Sequence, residues 1–227
     1  MLVTVALAAM PAKAATYTDS VGENFTGAGG GILDITSVEV NNTSSDLIFK
    51  INLAGDPVAT DWGKYMIGIT STTGGDPAGD GWARPIGMSS GMNYWIGSWA
   101  DSGNGAELRN YTGSWGLQAA TYGPNADRIS FSKDTSSVTL DVKFGDLGLA
   151  VGNSFQFDVY TSGGGGTDSA IDALANPSQS VSDWGNAYNS GAQVDTYTLT
   201  SVPEPASCVL LGLGGLVVAG RFFRRRA

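Results

Sequence analysis

Apolar and polar residues alternate with period two through the middle of the chain, as they do in strands that turn one face to a core. The clearest run is Leu47-Ile48-Phe49-Lys50-Ile51-Asn52-Leu53, in which Leu47, Phe49, Ile51 and Leu53 share a face. Comparable runs are Ile32 to Val40, Tyr65 to Thr70, Tyr94 to Trp99, Arg128 to Lys133, Val138 to Phe144, Phe155 to Tyr160 and Val194 to Leu199. Turn residues separate them at Asn41-Asn42, Gly55-Asp56-Pro57, Gly74-Gly75-Asp76-Pro77, Gly123-Pro124-Asn125 and Gly163 to Gly166. The pattern predicts an all-β, antiparallel β-sandwich, jelly-roll or immunoglobulin-like, of about eight or nine strands. One short helix is predicted at Ser169 to Ala175, with Thr167 or Asp168 as its N-cap, Pro177 beyond its end and Ala170, Ile171 and Leu174 as its apolar stripe. The 33 glycines leave little room for longer helices.

The two ends depart from this pattern. Near the C-terminus, Val202-Pro203-Glu204-Pro205-Ala206 precedes an apolar run to Gly220, and Arg221-Phe222-Phe223-Arg224-Arg225-Arg226-Ala227 follows it. A bilayer explains this order, because apolar residues enter hydrocarbon while arginines are held on the cytoplasmic side. At about 1.5 Å per residue, Ala206 to Gly220 reaches roughly 22 Å, short of a core of about 30 Å. A marginal transmembrane helix suits a temporary anchor. The sequence resembles the PEP-CTERM sorting signal of exported bacterial proteins through Pro203, Glu204 and Pro205, the apolar span, and Arg221, Arg224, Arg225 and Arg226. That resemblance implies recognition and removal of the tail by an exosortase-type membrane protease. It also implies an inner-membrane-anchored precursor and a final place at the cell surface or in the extracellular matrix. At the other end, apolar Leu2 to Met10 and the small-residue site Ala12-Lys13-Ala14 predict a signal peptide cleaved after Ala14. No basic stretch precedes its apolar part, so it reads as truncated at its start. The chain thus divides into a signal peptide at 1–14, a sandwich ectodomain at 15–201 and a sorting signal at 202–227.

Charge and missing residue types narrow the chemistry. Between residues 15 and 202 there are seven Lys and Arg against twenty Asp and Glu, a net charge of −13. Nucleic acid is disfavoured as a partner, since phosphate contacts need clustered cations. The single cysteine, Cys208, lies in the tail, so the ectodomain has neither a disulfide nor a thiol nucleophile. The chain has no histidine, which removes Ser-His-Asp triads and histidine-ligated zinc. What remains for catalysis is a carboxylate pair, as in a glycoside hydrolase. The expectation is a non-enzymatic protein with no catalytic residue.

The opening of the ectodomain carries a second likeness. Asp34-Ile35-Thr36-Ser37-Val38-Glu39-Val40, followed by Asn42-Thr43 and Asp46-Leu47-Ile48-Phe49-Lys50-Ile51, is similar to the start of DOMON-like and family-9 carbohydrate-binding sandwiches. It implies a surface-exposed sandwich able to hold a sugar; without histidine, haem has no suitable axial pair.

Aromatic residues point the same way. Trp82, Trp95, Trp99 and Trp115 fall within 34 residues, interleaved with Tyr94, Tyr111 and Tyr122. Indole faces stack on the C–H faces of sugar rings while nearby polar groups bind hydroxyls; Arg84 and Arg109 are the basic donors of this stretch. The competing expectation is that these rings fill a core, although Trp95 and Trp99 on one face and Tyr94 and Ile96 on the other predict at least one half-exposed ring. Calcium is the one cofactor for which the sequence offers ligands. Asp101, Asn104 and Glu107 lie in an acidic, glycine-bearing stretch where oxygens could converge on a hard cation, or where Asp and Gly merely make turns. The sequence therefore predicts an exported surface or biofilm-matrix protein whose sandwich binds extracellular polysaccharide. The alternative is a structural surface protein with no sugar ligand.

Overall fold

Each of the alternating runs forms a strand in the computed structural model, which describes residues 14–23, 25, 29–101, 103–179 and 181–202. The strands are β1 (Ala15–Thr18), β2 (Ile35–Asn42), β3 (Asp46–Leu53), β4 (Lys64–Thr70), β5 (Ile86–Gly87), β6 (Tyr94–Trp99) and β7 (Gly105–Tyr111). They continue with β8 (Trp115–Ala120), β9 (Ile129–Lys133), β10 (Ser137–Lys143), β11 (Ser154–Ser162), β12 (Asp172–Ala173), β13 (Tyr188–Asn189) and β14 (Asp195–Thr198). The signal peptide and the sorting signal lie outside the described residues apart from Ala14 and Val202. Among the described residues no helix is long and apolar enough to cross a membrane.

Two antiparallel sheets make the sandwich. The first has the order β1-β2-β3-β10-β9, and the second β12-β11-β4-β6-β7-β8, with β14 also paired to β11. Alternation in β3 sends Leu47, Phe49, Ile51 and Leu53 inward, where they meet Tyr65, Ile67, Ile96, Leu108, Phe157 and Val159 of the facing sheet. In β2 the buried positions change phase, from Ile35 to Val38 and Val40, because a bulge between Ile35 and Ser37 inserts Thr36 opposite β3. The two sheets are tied at one end by Asn42. Its Nδ2 donates to the carbonyls of Thr43 and Thr200, and its Oδ1 accepts from Tyr197 Oη at 2.9 Å and Thr200 N at 3.0 Å.

The second sheet is buried on both faces at its centre. Met66, Trp95 and Tyr160 point away from the first sheet into a further apolar layer with Ile86, Met88, Met92, Ala170 and Ala173. Residues 71–93 and 163–194 supply that layer, and the parallel pairing of β13 with β5 fastens them to each other. This cover explains why the strand at Lys64–Thr70 is apolar on consecutive residues instead of alternating strictly.

The expected helix at 169–175 is absent. The segment is extended along the edge of β11, where Ile171 N donates to Thr161 O at 2.8 Å and Leu174 N to Val159 O at 3.0 Å. Its stripe is divided among three environments: Ala170 faces the outer layer, Ile171 a small cluster with Ile32 and Leu33, and Leu174 the main core. All of residues 169–174 are buried, and one stripe cannot produce burial all round. The only helical structure with regular geometry among the described residues is a 3₁₀ turn at Phe144–Leu147.

Candidate functional site

The outer face of β6, β7 and β8 carries most of the aromatic residues singled out above. Cross-strand register places Trp95, Gly97 and Trp99 of β6 opposite Arg109, Glu107 and Gly105 of β7, and places Tyr111 and Arg109 opposite Trp115 and Leu117 of β8. Directly opposed residues share a face. Two glycines make room for rings on it. A Cβ on Gly97 would lie 2.4 Å from the Trp82 ring, and one on Gly105 would lie 2.2 Å from the Trp99 ring. Each indole therefore rests on bare backbone.

Rings run along this face in sequence. Trp95 stacks on Tyr160 with centroids 5.9 Å apart and planes at 22°. Trp82 sits 6.5 Å from both Trp95 and Trp99, and Trp99 sits 6.3 Å from Tyr122. Trp115 lies 5.4 Å from Tyr111. Exposure increases outward: Trp95 is fully buried, Trp82, Trp99, Trp115 and Tyr111 are half-buried, and Tyr122 is 50% exposed.

Glu107 is the polar centre of the ledge. Its Oε2 accepts from Trp82 Nε1 at 3.0 Å and from Arg109 Nε at 2.9 Å, and its Oε1 accepts from Tyr122 Oη. Burial by itself would raise the carboxyl pKa, but the bonds from Tyr122, Trp82 and Arg109, with the Arg109 charge, hold it below the usual range. Glu107 is thus an anion at neutral pH. Its hold on Tyr122 pushes that phenol up. Nearby, Trp115 Nε1 donates to Asp76 Oδ2 at 3.0 Å, while Asp76 Oδ1 accepts from Ala78 N and Gly79 N. The acidic turn at 76–81 therefore orients an indole.

Two of the six residues expected to touch sugar are withdrawn from solvent. Trp95 is wholly covered, and Arg84 is 7% exposed. The Arg84 guanidinium donates to Ser162 Oγ at 2.8 Å, Asp168 O at 3.0 Å and Gly163 O at 3.3 Å, and lies 5.6 Å from the Trp82 ring centre. It clamps the 163–168 loop. Trp82, Trp99, Trp115 and Arg109 remain together on the accessible part of the face.

Of the three residues expected to hold calcium, Asp101, Asn104 and Glu107, two have partners within the protein. Asp101 pairs with Lys64 at 2.9 Å, both oxygens of Glu107 already accept protein donors, and Asn104 lies exposed in the turn before β7 at φ 46°. The stretch read as a cation loop is half turn and half strand. A groove of about 480 Å³ lies elsewhere, lined by hydroxyls of Thr70, Ser90, Ser154 and Thr196 and by Gln156, with no exposed ring.

Carboxylates the sequence did not bring together meet at the opposite edge. Oxygens of Asp19, Glu23 and Asp172 lie within 4.8 Å of one another. Asp19 and Glu23 follow β1, whereas Asp172 starts β12 in the other sheet. About 150 residues of separation hide such a group from any motif, and the only local signal was the aspartate, Asp34, at the head of β2.

Comparison with known families bears on the tail. Residues 201–226 match the PEP-CTERM protein-sorting motif. The chain carries this sorting signal. The match spans all seven residues expected to form it, Pro203, Glu204, Pro205, Arg221, Arg224, Arg225 and Arg226. A PEP-CTERM motif implies export, a membrane-anchored precursor and processing by an exosortase-type membrane protein. It covers the tail alone and is silent on the sandwich. No curated protein matches the chain.

Proposed function

We propose that the sandwich of this exosortase-sorted protein is a non-catalytic module that holds extracellular polysaccharide on the β6–β8 ledge. The observation that carries the reading is the run of half-exposed rings, Trp82, Trp99, Tyr122, Trp115 and Tyr111, around an ionised Glu107 and its partner Arg109. Flat faces offer stacking for pyranose rings, and the carboxylate–guanidinium pair offers an acceptor and donors for hydroxyls at the same level. A shallow ledge suits an internal stretch of a long chain, which has no end to insert into a pocket.

The rival is a structural surface protein without a sugar ligand. It is supported by the internal use of two indole N–H groups, those of Trp82 and Trp115, on carboxylates of the protein itself. Binding of the exported protein to an array of bacterial and plant polysaccharides separates the two. Trp99→Ala and Trp115→Ala are expected to weaken retention at least about tenfold, the loss of one stacked contact. Wild-type protein that binds no polysaccharide would leave the structural reading standing.

A further inference from the structure

We propose that Asp19, Glu23 and Asp172, flanked by Asp34, form a calcium site that joins the edges of the two sheets. The cluster is more than a gathering of acids. Asp34 is 6% exposed, and its carboxylate points at the 19–23 turn, where Oδ2 accepts Gly22 N at 3.0 Å. Its Oδ1 is buried without a hydrogen-bond partner among the described residues, as are Asp19 Oδ2 and both oxygens of Glu23. Four buried carboxyl oxygens with no donor among the described residues are costly to leave unmet, the more so when ionised. Asp172 is fully buried; its Oδ2 accepts Ile35 N at 2.7 Å and its Oδ1 accepts Ala173 N at 2.9 Å, which fixes its orientation.

No cation of the sandwich serves this cluster. Lys50 faces Glu39, Lys64 Asp101, Arg109 Glu107, Arg128 Asp146 and Lys143 Asp46. Arg84 clamps the 163–168 loop and Lys133 donates to Ala100 O. All seven basic side chains between residues 15 and 202 are thereby engaged elsewhere. Without an ion, burial and mutual repulsion raise the carboxyls, Asp19 to about 7 and Asp172 to about 8.

The donor chemistry selects the ion. Oxygen-only ligands and the absence of histidine favour a hard cation over zinc or copper. Magnesium keeps most of its water and usually takes one or two carboxylates, whereas calcium accepts six to eight oxygens in irregular geometry. Three carboxylates drawn from two sheets, with a fourth beside them, fit calcium. Bridging β1 to β12 closes the sandwich at an edge where Asp172 already crosses from one sheet to the backbone of Ile35 in the other. The site is remote in sequence from the ledge residues and does not depend on sugar binding.

The test uses the full chain in detergent, stripped with EDTA and titrated with calcium alone by calorimetry and thermal melting. One ion per chain is expected, with a Kd on the order of 10⁻⁴ M, typical of extracellular modules. At about 1 mM calcium the melting temperature should rise by roughly 3 to 6 °C, and by less with magnesium. Glu23→Gln, on a half-buried side chain, should weaken calcium about tenfold or more without lowering the metal-free melting temperature, because it relieves repulsion. A residue that only packed would not give those opposite effects. Asp101→Asn should leave calcium affinity unchanged. Absence of any calcium-dependent heat or melting shift in the wild type would overturn the site. Unchanged affinity in both Glu23→Gln and Asp19→Asn would overturn it equally.

Discussion

Glu107 and Asp172 are both carboxylates at the margin of the second sheet, each almost closed off from solvent, yet they settle on opposite sides of their ordinary pKa. Burial pushes both up. At Glu107 the donors of Tyr122, Trp82 and Arg109 outweigh it. Asp172 has two backbone N–H groups, from Ile35 and Ala173, but it also has Asp19 and Glu23 beside it, and it rises to about 8. At Asp172 burial is the largest cause and the neighbouring acids reinforce it, whereas at Glu107 the donors together reverse it. One carboxylate is finished by its own protein, and the other group is left for a ligand to finish.

The largest expected effect is the pH dependence of metal-free stability. Asp19 and Asp172 have folded pKa values of about 7 and 8, above their ordinary value of 3.8. Protons are therefore held more tightly by the folded state. The stability they contribute is complete below about pH 4 and is lost as pH rises through 7 and 8. Buried Asp80 and Asp158, each near 7, slope the same way. Urea unfolding in EDTA should show stability falling by roughly several kcal/mol between pH 4 and 8, and calcium should restore much of it at the upper end. Asp172→Asn should make the curve shallower throughout the interval from about pH 4 to 8. Parallel curves for variant and wild type would break the contrast with Glu107.

Glu107→Ala should have the next largest effect. It strands the Trp82 N–H, the Tyr122 hydroxyl and the Arg109 charge in a partly buried place. A loss of about 2 to 4 kcal/mol is expected in urea unfolding at neutral pH. The sign with pH is opposite to that of the acidic cluster. The lowered carboxyl of Glu107 contributes stability above its unfolded pKa, which is lost as pH falls, so the gap between variant and wild type should narrow in acid. A gap that widened in acid would show that the donors do not hold the anion.

Tyr122→Phe is the smallest and finest test. It removes one donor from a half-exposed ring and keeps the ring. Stability should fall by no more than about 1 kcal/mol, and the Glu107 carboxyl, followed by NMR, should titrate at higher pH. A carboxyl that did not move would assign the lowered pKa to Trp82 and Arg109 alone.

Much of the scaffold was legible because strand alternation is local. The run at Leu47–Leu53 carries its own phase, and Tyr94–Trp99 appears with the bounds the pattern predicts. Strands β7 and β8 were harder to see. Gly105-Ala106-Glu107 looks like a polar turn until Trp99 is laid over Gly105 and the Trp82 N–H reaches Glu107. The helix expected at 169–175 failed for a related reason: Ala170, Ile171 and Leu174 fit a helical stripe, but a segment enclosed on every side has no single stripe to read. At the candidate ledge, the concentration of tryptophan was visible in the sequence. That some ring would stand half-exposed was legible too, but not that Trp95 and Arg84 would be the buried ones and Trp99 and Trp115 the half-exposed ones.

The sequence by itself determined the β class, through period-two alternation, and the sorting address, through the order Pro-Glu-Pro, apolar span and arginines. Both are written in neighbouring residues, and both are read, by a forming strand or by a membrane, a short stretch at a time. Only the tertiary structure decided which rings face water and which carboxylates find a donor. Those outcomes depend on what the rest of the chain places against each side chain. Asp19 and Asp172 are 153 positions apart in sequence, but their carboxylate oxygens lie within 4.8 Å across the sheet edges, and their raised pKa values come from burial there and from the acids that meet them.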